Sequence, residues 1–128
     1  MLADVASQLY DLASLRQYAP LAEEASSRYG HTLYQAIAQR AWGVERRLAG
    51  EFDQAETRLK RALELFEELD THWQIGRTLK ELGELSTARA DTFTARDYFT
   101  RALAEFEKLK ALPDADRTRA ALKSIIPR

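Results

Sequence analysis

Slid over itself by 40 positions, the sequence matches without a gap. Residues 31–70 laid on 71–110 pair Gly43 with Gly83, Ala55 with Ala95, Arg61 with Arg101, Ala62 with Ala102, Leu63 with Leu103, Phe66 with Phe106, Glu67 with Glu107 and Leu69 with Leu109. Chemically similar pairs lie between them: Trp42/Leu82, Arg40/Lys80, Leu59/Phe99 and Glu51/Asp91. A period of this length implies a repeated supersecondary unit that cannot bury its apolar face alone. Neighbouring units must then stack, each supplying the other's missing partner surface.

The unit is helical. Apolar residues recur at three- and four-residue spacing, and the five glycines and three prolines fall almost entirely between such runs. No useful length alternates as a strand does, and β-branched residues are too few for a sheet. The small residues repeat where two helices must approach closely, and the large apolar ones where a neighbour must be filled. Asp70 and Thr71, Asp91 and Thr92, and Asp114 after Pro113 stand where short polar side chains cap a first turn. Gly30 and Gly50 stand where helices end. The pattern predicts helices near 2–16, 20–29, 32–49, 52–69, 72–89, 92–110 and 114–126.

At 128 residues the chain has the size of a single domain. A composition 45% hydrophobic and 30% charged, with a mean hydropathy of −0.45, is that of a globular protein and too apolar for disorder. The net charge of −1 provides no overall field to draw the chain onto nucleic acid or anionic lipid. With no cysteine there is no disulfide, thiolate nucleophile or sulfur-built zinc site. Apolar runs are short, and the first fifteen residues carry Asp4 and Asp11 but no Lys or Arg, unlike a signal peptide. The expectation is a cytoplasmic protein. It has no Asn, no Met beyond Met1, and 14 Arg against 5 Lys, as a thermophile or a GC-rich genome would each produce.

Catalytic and cofactor chemistry finds little support. His31 and His72 are about one unit apart, with no HExxH and no close His pair, so no metal site is expected. Glycines are never clustered, which removes phosphate-cradling loops. Glu23-Glu24 and Glu67-Glu68 lie among basic residues at helical spacing and read as solvated ion-pair faces. No residue is assigned a catalytic role and no cofactor is expected. Trp42, beside Gly43, reads as core. Trp73 either covers the seam between neighbouring units or lies partly exposed.

These residues resemble the tetratricopeptide repeat family. Its helix-turn-helix unit carries a large residue, Leu-Gly three and four positions on, a small residue twelve after the Gly, an aromatic four later and Ala three after that. Leu79, Leu82, Gly83, Ala95, Phe99 and Ala102 fit that spacing, as do Trp42, Gly43, Ala55, Leu59 and Ala62. Departures are Gln39 at the large apolar position, Arg46 and Ser86 for the family's tyrosine, and Glu67 and Glu107 for its closing proline. Without that proline the second helix can run on, consistent with the longer period. Such long repeats look like those of large bacterial signalling and regulatory proteins.

The resemblance covers about residues 15–126. It implies an all-α, antiparallel helix-hairpin solenoid of about three hairpins within one domain. Residues 1–30 form a degenerate repeat, with Pro20 opening a short helix and Ala22 and Tyr29 in register with Ala62 and Leu69. Repeats follow at 31–70 and 71–110, and 111–128 is a capping helix. In the cap, Ala121 and Ile125 or Ile126 pack inward while Arg117, Arg119 and Lys123 face water.

The family's concave wall maps onto Ile37, Arg40, Val44, Arg47 and Leu48, then Arg77, Lys80, Glu84, Thr87 and Ala88, with Arg117 in the cap. This wall is richer in basic residues than the chain as a whole. The implied function is a non-catalytic protein–protein interaction module that holds an acidic segment or free carboxyl terminus of a partner. A chaperone-type carboxylate clamp is not expected, because it needs paired Asn. Self-association through apolar end faces, Met1–Leu15 at one side and the terminal helix at the other, or a role as a regulatory segment of a larger signalling protein, is the competing expectation. An RNA-binding array is a third, disfavoured by the neutral charge.

Overall fold

A computed structural model describes residues 28–125, which form five α-helices and, among the described residues, no strand. They are α1 (Arg28–Leu48), α2 (Phe52–Glu68), α3 (His72–Ala88), α4 (Thr92–Lys108) and α5 (Leu112–Ile125). The chain divides into two compact units, one ending at Leu69 and one beginning at Asp70. In the first, α1 packs on α2; in the second, α3 packs on α4 and α4 on α5. The degenerate repeat expected at 1–30, Pro20 and Ala22 included, lies outside the described residues except for 28–30, which belong to α1. Ile126 and Arg128 also lie outside them.

The chain turns by one device used repeatedly. Gly50, Asp70, Ala90 and Lys110, each twenty residues after the last, have φ of 81°, 54°, 60° and 57°. Within the units, at Gly50, Ala90 and Lys110, this left-handed residue folds the chain back on the helix it has just left. At Gly50, N–H groups of residues 50 and 51 donate to the carbonyls of Arg47 and Arg46 at 3.0 and 2.9 Å. Ala90 and Asp91 reach Thr87 and Ser86 in the same way, and Lys110 and Ala111 reach Glu107 and Phe106. Carbonyls that a helix end would leave unbonded are thus satisfied at these three turns.

Glycine accepts this conformation freely, whereas a Cβ costs about 1 kcal/mol or somewhat more. Ala90→Gly and Lys110→Gly are therefore each expected to stabilise the protein by about 1 kcal/mol. Gly50→Ala should cost a similar amount, and thermal or urea melts measure all three.

Helix starts differ from turn to turn. Asp91 is an N-cap whose side chain accepts the Thr94 N–H at 3.1 Å, whereas Glu51 and Thr71 stand at N-caps without such a bond. Hydrogen bonds from the Thr94 side chain and then its backbone N–H hold the Asp91 carboxyl below its ordinary 3.8. A carboxyl whose folded value is depressed contributes stability that is full above the ordinary value and is lost as the pH falls through the lowered one. Asp91→Asn keeps an acceptor but cannot titrate. Wild type is expected to melt above this variant at neutral pH and to lose that advantage in acid; an unchanging difference across the titration would contradict the assignment.

Equivalent glycines sit in like settings. A Cβ on Gly43 would lie 2.7 Å from Leu59 Cδ2, and one on Gly83 would lie 2.7 Å from Phe99 Cε1. In both units, then, the first helix meets the second through a missing side chain, at positions 40 residues apart. Ala55, Leu59, Ala62 and Phe66 on α2, and Ala95, Phe99, Ala102 and Phe106 on α4, are all buried. The alanines admit the neighbouring backbone and the larger residues fill the space so defined.

Two expected boundaries move. Gly30 lies inside α1 rather than at a helix end, so the start expected near 32 falls within that helix, while residues 20–27 of the helix expected near 20–29 lie outside the described residues. A single glycine inside an apolar helical run costs only about 1 kcal/mol, too little to break it. The last helix starts at Leu112, so Pro113 sits in the first turn, where its missing N–H is harmless, and Asp114 lies within the helix.

Candidate functional site

Each residue of the expected basic wall belongs to a helix whose packing decides how much of it reaches water. On α1, Ile37, Arg40 and Val44 are completely or almost completely buried, Arg47 is half-buried and Leu48 is exposed. On α3, Arg77 is buried, Lys80 and Glu84 are half-buried, and Thr87 and Ala88 are exposed. Arg117 on α5 is exposed.

The two arginines expected to dominate the wet wall are packing residues instead. Arg40, at 0% exposure, stands with its guanidinium carbon 4.9 Å from the centre of the Phe66 ring. Arg77, at 7%, stands 5.8 Å from the ring of Trp73. Arginine tolerates such sites because its stem is apolar, its planar cation is weakly hydrated, and the ring face attracts it.

What remains at the surface is distributed by unit. In the first, Arg46 bridges the two helices' ends, Nε donating to Glu45 and Nη1 to Glu51, each at 2.8 Å. The Glu51 hydrogen bond chiefly, with the Glu45 charge, raises the Arg46 value. In the second, Lys80 lies 3.7 Å from Glu84 one helical turn on. Trp73 Nε1 donates to one oxygen of Asp114 at 3.1 Å, and Arg117 donates to the other at 3.0 Å. The half-buried Trp73 thereby ties α3 to α5, with Arg77 against its ring. α5 is further held by Arg119, which reaches Glu107 on α4 at 2.7 Å and also pairs with Asp116 of its own helix at 2.8 Å. Arg117 and Lys123 are exposed, Ala121 and Ile125 half-buried.

Sequence reasoning missed Glu45 and Glu81, both buried, because they fall one residue from the positions the family pattern marks. It also missed Asp114 as a partner of Trp73, since a hydrogen bond across 41 residues leaves no periodic trace. Trp42 is half-buried rather than fully in the core. Among the described residues no group of three or more His, Asp or Glu side chains is placed to hold a metal ion, and no helix is long and apolar enough to cross a membrane. Comparison with protein-family models, with curated proteins and with solved structures returns no match.

Proposed function

We propose that the protein is a non-catalytic protein–protein interaction module, built of tetratricopeptide-like hairpins that stack as a solenoid. The observation that carries this reading is the twenty-residue recurrence of left-handed turns, together with the matching Gly43–Leu59 and Gly83–Phe99 approaches. Stacked, regular units present side chains at fixed spacing and suit the display of a surface.

The partner is an acidic segment, held on the second unit by the basic residues of the expected wall that reach water, Lys80 and Arg117. Buried Arg40 and Arg77 brace the helices that carry them. Electrostatic capture of this kind is salt-sensitive and reversed by charge inversion. The test is fluorescence anisotropy with a panel of acidic peptides, each compared with its Asn/Gln counterpart. Binding that prefers the acidic form, weakens with salt and falls at least about tenfold in Lys80→Glu/Arg117→Glu is expected, a change of about 1.4 kcal/mol. Equal binding by that variant, with helix content intact, would reject the surface.

Self-association is a second reading, favoured by Leu109 and Leu112, which are 44% and 61% exposed at the connection of α4 and α5. Sedimentation of the wild type against Leu112→Asp separates it: a dimer dissociated by that substitution supports it.

A further inference from the structure

A cluster of titratable groups that the proposed binding reading does not use lies where the chain enters its second unit. His72, first residue of α3, sets Nε2 2.8 Å from Oδ1 of Asp70 and Nδ1 2.9 Å from Oε2 of Glu105 on α4. The other oxygen of Glu105 is 3.9 Å from the Lys108 ammonium. Asp114 on α5 is engaged separately, by Trp73 and Arg117. The ring therefore lies between two carboxylates that come from different parts of the unit, one from the turn and one from the packed helix.

A neutral imidazole has one N–H and one lone pair, so it can donate to one carboxylate only and directs its lone pair at the other. The imidazolium donates at both nitrogens. The two bonds are not equivalent. Glu105 is 18% exposed, whereas Asp70 is 83% exposed and its bond competes with water. A ring with a single proton keeps it on Nδ1, facing the sheltered Glu105, and lets Asp70 go. Asp70 is also one of the left-handed non-glycine residues, with φ 54°, so its conformation needs support from its surroundings.

We propose that His72 is a protonation-controlled clasp: the imidazolium ties the Asp70 turn to α4 through Glu105, and loss of the proton frees the turn while α3 and α4 stay packed. The clasp changes local geometry at Asp70 and Thr71 and leaves the Gly83–Phe99 contact untouched.

The full-length, isotope-labelled chain tests this by NMR, following the His72 ring nitrogens, the Asp70 and Thr71 amides and the Trp73 indole through the ring's titration. The turn amides are expected to shift along the same curve as the ring. In His72→Gln and in Asp70→Asn that curve disappears from the turn, while the indole signal reports that the unit remains folded. Turn amides that ignore the ring's titration, or that keep the curve in His72→Gln, would overturn the clasp.

Discussion

Gly83→Val is expected to destabilise the second unit by about 3 kcal/mol or more, at the upper end of what overpacking costs. In an open helix, replacing glycine would stabilise it by close to 1 kcal/mol. Here the new Cβ would meet Phe99 Cε1, Cδ1 and Cζ at 2.7, 2.8 and 2.9 Å. The ring is 2% exposed and rigid, so the helices must separate or the ring must leave its rotamer. Gly83→Ala therefore loses its propensity gain and ends about 1–2 kcal/mol less stable, while valine adds a branched Cβ to the same clash. Phe99→Leu in the Gly83→Ala background should recover part of the loss, with a coupling of at least about 0.5 kcal/mol. Urea midpoints measure each term. Gly83→Val at wild-type stability would mean that α3 and α4 do not meet there.

Arg40→Glu is expected to cost about 3–5 kcal/mol, the range for breaking a buried charge arrangement, and Arg40→Met, which buries no opposing charge, should cost less. The guanidinium of Arg40 is wholly buried over Phe66, itself 0% exposed. A carboxylate at that place faces the negative π surface with no water to solvate it. Methionine keeps the length and the contact with the ring. An Arg40 on a wet wall would behave differently: charge reversal would leave helix content and melting unchanged and affect binding alone. Circular dichroism and denaturant midpoints of the two variants distinguish the cases, and an Arg40→Glu protein as stable as wild type would return Arg40 to the surface.

Side chains that repeat at a fixed offset or act within one turn of helix were legible in the sequence, and those that act across distant helices were not. Gly43 and Gly83, Leu59 and Phe99, and the alanines around them occur at a fixed offset because the same close approach occurs twice, so the pattern marks the helix contacts. Asp91 was legible as a cap because its side chain acts within three residues. The left-handed turns at Asp70, Ala90 and Lys110 were hidden, since only at Gly50 does the residue type announce the conformation. Arg40 and Arg77 were misplaced for a physical reason. A family position says which way a side chain starts, but a long apolar stem and a neighbouring ring decide whether its charge ends in water. Trp73–Asp114 and His72–Glu105 depend on helices meeting across more than thirty residues, which no local spacing encodes.

The claim on which the fold and the proposed function both rest is that residues 40 apart occupy the same place in two like-shaped helix pairs. A nuclear Overhauser spectrum of the labelled chain measures it directly, through the Gly43 and Gly83 α-protons. Cross-peaks from Gly43 to the Leu59 methyls and from Gly83 to the Phe99 ring are expected together. One without the other, or neither, would contradict the account.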